Sequence, residues 1–272
     1  MDNRPIGIFD SGLGGLTAMS ALRELMPAET ILYFGDTSRC PYGTKTREEL
    51  RRFASGNLEL LASMGAKAVI AACGTVSANA PEILSSFRIP VVNVIDPVVR
   101  AVAENKEAAS GPVAVIATKA SIGNGAFQRK LQSACSGREV VAVPCQDFVA
   151  LCESGHISPD DVLLREKVRE YLEPVKASGA SEMILGCTHF GIISEAITAY
   201  LGDDVRLLSA SEFAAREMKN LLEASGSAAE QSDAGGHTGE IRYYTSGDTL
   251  EFEMLAERIL NTEIKAVHIS AE

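Results

Sequence analysis

The sequence predicts an α/β fold of two similar doubly wound lobes, each a mainly parallel sheet flanked by helices, with the active site between them. Three observations carry this prediction. Short apolar runs alternate with stretches whose apolar residues recur every three or four positions. Polar residues stand where the apolar runs stop. The chain, at 272 residues, is longer than most single compact domains, which favours two lobes.

Strands are expected at 6–9, 30–34, 68–72, 91–95, 113–116, 140–143, 183–185 and 205–208. These runs are continuously apolar rather than alternating, the pattern of strands covered on both faces. Helical periodicity is clearest at 46–64, 162–172 and 212–222. Segment 225–239, rich in Ser, Ala, Gly and acidic residues, reads as an exposed loop of low order. After it come strands at 240–245 and 264–269 around a helix at 250–260. The run at 68–75 (AVIAACGT) loosely matches that at 182–189 (EMILGCTH), which suggests related lobes. The expected division is 1–98 with 210–272, carrying Asp10 and Cys73, against 99–209, carrying Glu153, Cys187 and His189.

Composition excludes several function classes. No run of 18 apolar residues is present, so no membrane span is expected. The start of the chain lacks the cationic and apolar segments of an export signal, so a cytoplasmic location is expected. A net charge of -11 with scattered Lys and Arg repels a phosphate backbone, so no nucleic-acid partner is expected. The six cysteines show no C-x-x-C spacing, and reduced thiols are expected.

The strand-end residues are Asp10-Ser11, Gly35-Asp36, Cys73-Gly74-Thr75, Thr118 and Cys187-Thr188-His189. Open parallel sheets bind ligands at the carboxyl ends of their strands. The turn Asp10-Ser11-Gly12-Leu13-Gly14-Gly15 partly matches a dinucleotide fingerprint, with Asp36 where a ribose-binding acid belongs, but Thr17 occupies the last glycine position. The N–H groups of such a turn equally suit a substrate carboxylate. Asp10 is either an N-cap, worth about 1 kcal/mol, or a catalytic group. The segment 36–44 is an ordinary turn or a site wall.

Cys73 and Cys187 each end an apolar strand just before a helix, where a thiol pKa is lowered, whereas a cysteine within the strand is an inert core residue. Equivalent placement of two cysteines favours chemistry. Cys40, Cys135, Cys145 and Cys152 lack that context. No metal is expected, because Cys187 and His189 have no partner pair at ligand spacing. A Cys-His hydrolase leaves Cys73 unexplained. Pyridoxal phosphate needs a lysine in the pocket, and only Lys119 stands near a strand end, so no cofactor is expected.

The chain resembles the glutamate racemases, cofactor-independent enzymes that supply D-glutamate for the bacterial cell wall. The resemblance runs along its whole length. It rests on Phe9-Asp10-Ser11-Gly12-Leu13-Gly14-Gly15-Leu16-Thr17, Tyr33-Phe34-Gly35-Asp36-Thr37, Pro41-Tyr42-Gly43-Thr44-Lys45, Cys73-Gly74-Thr75, Leu151-Cys152-Glu153-Ser154-Gly155 and Leu185-Gly186-Cys187-Thr188-His189. The resemblance implies that Cys73 and Cys187 are acid/base thiols, tuned by Asp10, Glu153 and His189. It implies that Asp10, Ser11, Pro41, Tyr42, Gly43, Gly74, Thr75, Thr118, Thr188 and His189 contact glutamate, and that the protein is a homodimer. Glu153 is promoted by the resemblance alone; in isolation it reads as a solvated helix carboxylate.

The chain departs from the family pattern at Gly74, where asparagine is usual, and the lost amide costs on the order of 1 to 3 kcal/mol, up to about a hundredfold in binding or rate. Val76 replaces the usual alanine and Phe190-Gly191 the usual Tyr-Pro, so a reshaped pocket wall is expected. Two alternatives follow: a racemase or isomerase of the same superfamily on another substrate such as aspartate, and a catalytically silent small-molecule binding protein. Two thiols on opposite faces of a Cα suit racemisation, since one removes a proton while the other returns one.

Overall fold

The computed structural model describes residues 1–105, 111–135, 137–229 and 238–270. Its strands are β1 (Ile6–Asp10), β2 (Ile31–Gly35), β3 (Ala68–Ala71), β4 (Val91–Asn93), β5 (Val113–Ala117), β6 (Val140–Pro144), β7 (Glu182–Leu185), β8 (Arg206–Ser209), β9 (Ile241–Thr245) and β10 (Ala266–His268). They form a six-stranded sheet ordered β10-β9-β2-β1-β3-β4 and a four-stranded sheet ordered β6-β5-β7-β8. Neighbouring strands pair in parallel in both.

Every residue of β1, β2, β3, β5 and β7 is buried, the physical counterpart of their unbroken apolar runs. In the first sheet, β1 pairs with both β2 and β3, so the strand order reverses there; β5 occupies the same position in the second. A crevice outside the strand ends opens at each such reversal. Asp10 lies level with Gly35, and Phe9 with Ala71, so the polar residues after these strands emerge side by side.

Helix starts have local causes. Thr46 and Glu49 form a reciprocal capping box ahead of Arg47–Ser63. Asp161, Ser209 and Asp248 each accept a backbone N–H at the start of Val162–Ser178, Ala210–Ala224 and Thr249–Leu260. The expected helix at 162–172 continues through Pro174 because Val175 beyond it is buried, and it stops at Gly179, whose φ of 68° is left-handed. The expected division between 98 and 99 falls inside the helix Asp96–Glu104.

One apolar core runs across both sheets, joining Ile6, Ile8 and Tyr33 to Val113, Val115 and Ile184. Helices Leu16–Leu25 and Ala210–Ala224 belong to it through Leu16, Met19, Leu22, Ala214, Met218 and Leu222. Of the loop expected at 225–239, residues 230–237 lie outside the described residues. Its near end is anchored: Lys67 Nζ donates to Ser227 O at 2.8 Å, and Ala229 N–H donates to Glu29 Oε1 at 2.8 Å. On its far side Gly239 sits so close to Glu29 that a Cβ there would lie 2.1 Å from the Glu29 carbonyl oxygen.

Candidate active site

Asp10 ends β1, buried, with Oδ2 accepting the Gly12 N–H at 3.1 Å and Oδ1 accepting the Thr188 hydroxyl at 3.2 Å. The following helix begins only at Leu16, capped by Gly15, so Asp10 is not its N-cap. Gly15 is required here, because a Cβ would come within 2.6 Å of Asp10 Cβ. Burial raises the Asp10 pKa, against the charge of His189 and the N–H groups of Gly12 and Gly15.

Cys73 follows β3 and is the N-cap of the short helix Gly74–Asn79. The sequence placed it where a helix terminus lowers a thiol pKa. The structure reverses that expectation: burial pushes Cys73 up to about 12, with Asp10 adding to the rise, and the N–H groups of Val76 and Thr75 offset only part of it. One turn of helix cannot compensate the loss of water around the sulfur.

Cys187 follows β7, one residue beyond Gly186, and its Sγ lies 3.7 Å from His189 Nδ1. The other ring nitrogen, Nε2, lies 2.5 Å from Glu153 Oε1, which also accepts the Leu13 N–H at 3.0 Å. Glu153 ends the helix Asp147–Glu153, and it is mostly buried rather than solvated. Burial alone raises its pKa, but the hydrogen bond and charge of His189, the Leu13 N–H and the Cys40 thiol hold it below the usual value. Burial alone lowers the His189 pKa, but Cys187 and Glu153 outweigh it and raise it well above the usual value. A carboxylate, an imidazolium and a thiol thus stand in a row. Cys40, which the sequence left without a role, is the thiol beside Glu153.

Tyr42 and Gly43 come from the loop after β2. The buried Asp36 carboxylate accepts a very short hydrogen bond from Tyr42 OH, one from Arg39 Nε at 2.6 Å and one from Ser246 Oγ at 2.7 Å. Asn57 donates to Tyr42 Oη at 3.2 Å. Burial, with Asp36 adding, raises the Tyr42 pKa. Both Asp36 oxygens are taken by the chain's own donors, so this acid orients Tyr42 and is not free for a ribose.

Asp10, Ser11, Tyr42, Gly43, Cys73, Gly74, Thr75, Thr118, Cys187, Thr188 and His189 line one cavity of about 10 Å³. That is room for about one water. Val149 lines it too, a residue the sequence reading missed; its signal was its place one helical turn before Glu153. Pro41 does not line this cavity. It is exposed and borders a separate cavity of about 250 Å³ with Leu13, Cys40 and Glu153. A further cavity of about 630 Å³ lies beside helix Leu16–Leu25 and is lined by none of the expected site residues.

Apart from Gly74, the three residues that depart from the family pattern stand behind the wall of the 10 Å³ cavity. Phe190 is a core residue, edge-on to Phe148 at 5.3 Å between ring centres, Val76 is buried in the first lobe, and Gly191 packs near Thr17. None of the three lines the 10 Å³ cavity. Across it, Thr75 Oγ1 and Thr118 Oγ1 are 3.0 Å apart, a polar link between the lobes.

Residues 15–218 match the Asp/Glu/hydantoin racemase family. The chain belongs to this family. Over 267 residues, 98% of each chain, it is 35% identical to the glutamate racemase of Lysinibacillus sphaericus. It also superposes on the racemase-family crystal structure of glutamate racemase isoform RacE1 from Bacillus anthracis with a TM-score of 0.91, at 30% identity, covering 99% of this chain and 98% of that one. The glutamate racemase of Francisella tularensis in complex with D-glutamate gives a TM-score of 0.88 at 35% identity, covering 100% and 99%. These likenesses extend over both sheets, so the two-lobed racemase scaffold is present along the whole chain.

Proposed function

We propose that this protein is a glutamate racemase that interconverts L- and D-glutamate without a cofactor, with Cys73 and Cys187 as its acid/base thiols. One observation carries the reading: the two thiols follow equivalent strands of different sheets, β3 and β7, and line the same cavity. The likeness to a glutamate racemase holding D-glutamate supports the choice of substrate.

The chemistry follows from placement. One sulfur takes the Cα proton from one face while the other thiol delivers a proton to the opposite face, and the roles exchange with the hand of the substrate. By resemblance, Cys73 serves D-glutamate and Cys187 serves L-glutamate. His189, held protonated by Glu153, sets a positive charge beside the Cys187 sulfur as negative charge passes through it. The Thr75, Thr118 and Thr188 hydroxyls line the cavity; bonded here to one another and to Asp10, they exchange those partners for the substrate carboxylates as substrate enters. No lysine lines the cavity, which speaks against a Schiff-base mechanism there.

A cavity of about 10 Å³ is far smaller than an amino acid, so substrate enters as the two lobes move apart. Closure then excludes water around the carbanion. We further propose that the product feeds peptidoglycan synthesis and that the enzyme is a cytoplasmic homodimer. No described helix is long and apolar enough to cross a membrane.

Incubation of the purified protein with L- or D-glutamate, then aspartate, in D2O without added cofactor tests the reading. Expected is deuterium at Cα with loss of optical rotation for glutamate. Turnover of aspartate alone moves the protein to the alternative substrate, and exchange with neither leaves only a binding protein.

A further inference from the structure

The turns that carry the two thiols touch. A Cβ at Gly74 would lie 2.3 Å from the Gly186 carbonyl oxygen, a main-chain atom with no rotamer to move, and 3.8 Å from Cys187 Cα. Gly186 is itself held in place. Its N–H donates to Ile116 O at 2.8 Å, and its α-carbon is backed by Phe127, since a Cβ at 186 would meet Phe127 Cζ at 2.8 Å. Phe127 is fully buried.

On the same side of the cavity the helix after Cys73 is tied to the other lobe at two further points. Thr75 Oγ1 meets Thr118 Oγ1 at 3.0 Å, and Asn124 Nδ2 donates to Asn79 Oδ1 at 3.0 Å. Gly74 is thus the point at which the two thiol turns meet, and its missing side chain is what allows their main chains to approach.

We infer that Gly74 is a positioning residue that sets how closely the Cys73 and Cys187 turns approach when the lobes close. This inference deepens the proposed racemase reading and rests on it for its kinetic test. It reverses the first expectation for this position. Restoring an amide side chain at 74 does not recover a lost substrate contact in this chain; it wedges the two thiol turns apart. Misplacement of reacting groups by about 1 Å costs on the order of a hundredfold in rate.

The test uses full-length Gly74→Asn and Gly74→Ala. In D2O, inversion of glutamate falls by at least about tenfold in both variants. Deuterium in recovered substrate rises relative to product formed, because proton removal by one thiol survives while delivery by the second fails. Asparagine equal to or faster than wild type overturns the inference. So does an unchanged exchange-to-inversion ratio, which marks simple destabilisation.

A second measurement needs no turnover. Cys73 and Cys187, only 4% and 6% exposed, are alkylated by iodoacetamide several-fold faster in the variants, read peptide by peptide. Unchanged labelling overturns the inference. If wild type fails to racemise glutamate but the labelling difference stands, the substrate assignment falls and the closure role of Gly74 remains. Failure of the alanine variant to fold also counts against it, because the strain is placed in closure and not in the fold of either lobe.

Discussion

Glu153 Oε1 lies 2.5 Å from His189 Nε2 and, through the same oxygen, accepts the Leu13 N–H of the opposite lobe at 3.0 Å. One carboxylate therefore fixes the ring beside Cys187 and ties that ring to the glycine-rich turn after β1. Its two partners explain why a helix carboxylate that looks ordinary in sequence is held ionised while mostly buried.

Glu153→Gln removes the charge that keeps His189 protonated. The His189 pKa then falls, and any alkaline limb it imposes on kcat/KM moves to lower pH. The rate itself drops by about ten- to hundredfold, the scale of a hydrogen bond to a charged group. A pH profile of both proteins checks this, and an unmoved limb contradicts it.

The same pair contributes to stability within a defined window. The folded pKa of Glu153 lies below its ordinary 4.5, so its contribution is present above 4.5 and is lost as pH falls through the folded value. That of His189 lies above its ordinary 6.5, so its contribution is present below 6.5 and is lost as pH rises through the folded value. The Tm difference between wild type and Glu153→Gln is therefore largest between pH 4.5 and 6.5 and narrows on both sides.

Cys73→Ala abolishes racemisation, because a cavity with one remaining thiol can no longer serve both faces of Cα. Chiral chromatography after prolonged incubation reads the outcome. Undiminished interconversion removes the two-thiol mechanism.

Asp36→Ala removes the carboxylate that Arg39, Tyr42 and Ser246 share, leaves Arg39 its bond to Asn57 and releases Tyr42. Urea denaturation shows a loss of about 3 kcal/mol, the upper end for hydrogen bonds to a charged group. Tyr42→Phe removes only one hydrogen bond from Asp36 and costs about 1–3 kcal/mol. In Asp36→Ala, KM rises because the Tyr42–Gly43 wall of the cavity loses its support.

Lys67 and Glu29 form a fully buried ion pair, 2.7 Å apart, just before β3 and β2, at the strand ends opposite the site. Lys67→Met strands the Glu29 carboxylate and costs about 3–5 kcal/mol, while Lys67→Met with Glu29→Leu recovers most of that loss. Both variants keep wild-type kcat, since the pair lies at the far edge of the sheet. A lowered kcat at unchanged fold content contradicts this separation.

Much of the site was legible before any coordinates. Asp10, Cys73, Thr118, Cys187 and His189 each follow an apolar run, and a run buried on both faces must end where the chain reaches solvent or a cleft. That rule placed all five at one cavity. It did not hold for Gly35-Asp36, whose carboxylate turns to Arg39, Tyr42 and Ser246, and Pro41, implied by the resemblance alone, borders a different cavity. Val149 stayed hidden because an aliphatic side chain carries no chemical mark, and only its place one helical turn before Glu153 points to the site.

The sequence by itself determined the strands, their parallel pairing and the residues at their ends, because these depend on local hydrophobic pattern and backbone preference. The tertiary structure alone decided the state of those residues. Cys73 sits at a helix N-terminus that should favour a thiolate, yet burial between the lobes drives its pKa to about 12. Gly74 reads as a missing contact, yet the Gly186 carbonyl occupies the space beside it. Desolvation and steric contact are properties of what the other lobe brings, and residues more than a hundred positions apart meet only once both sheets are packed.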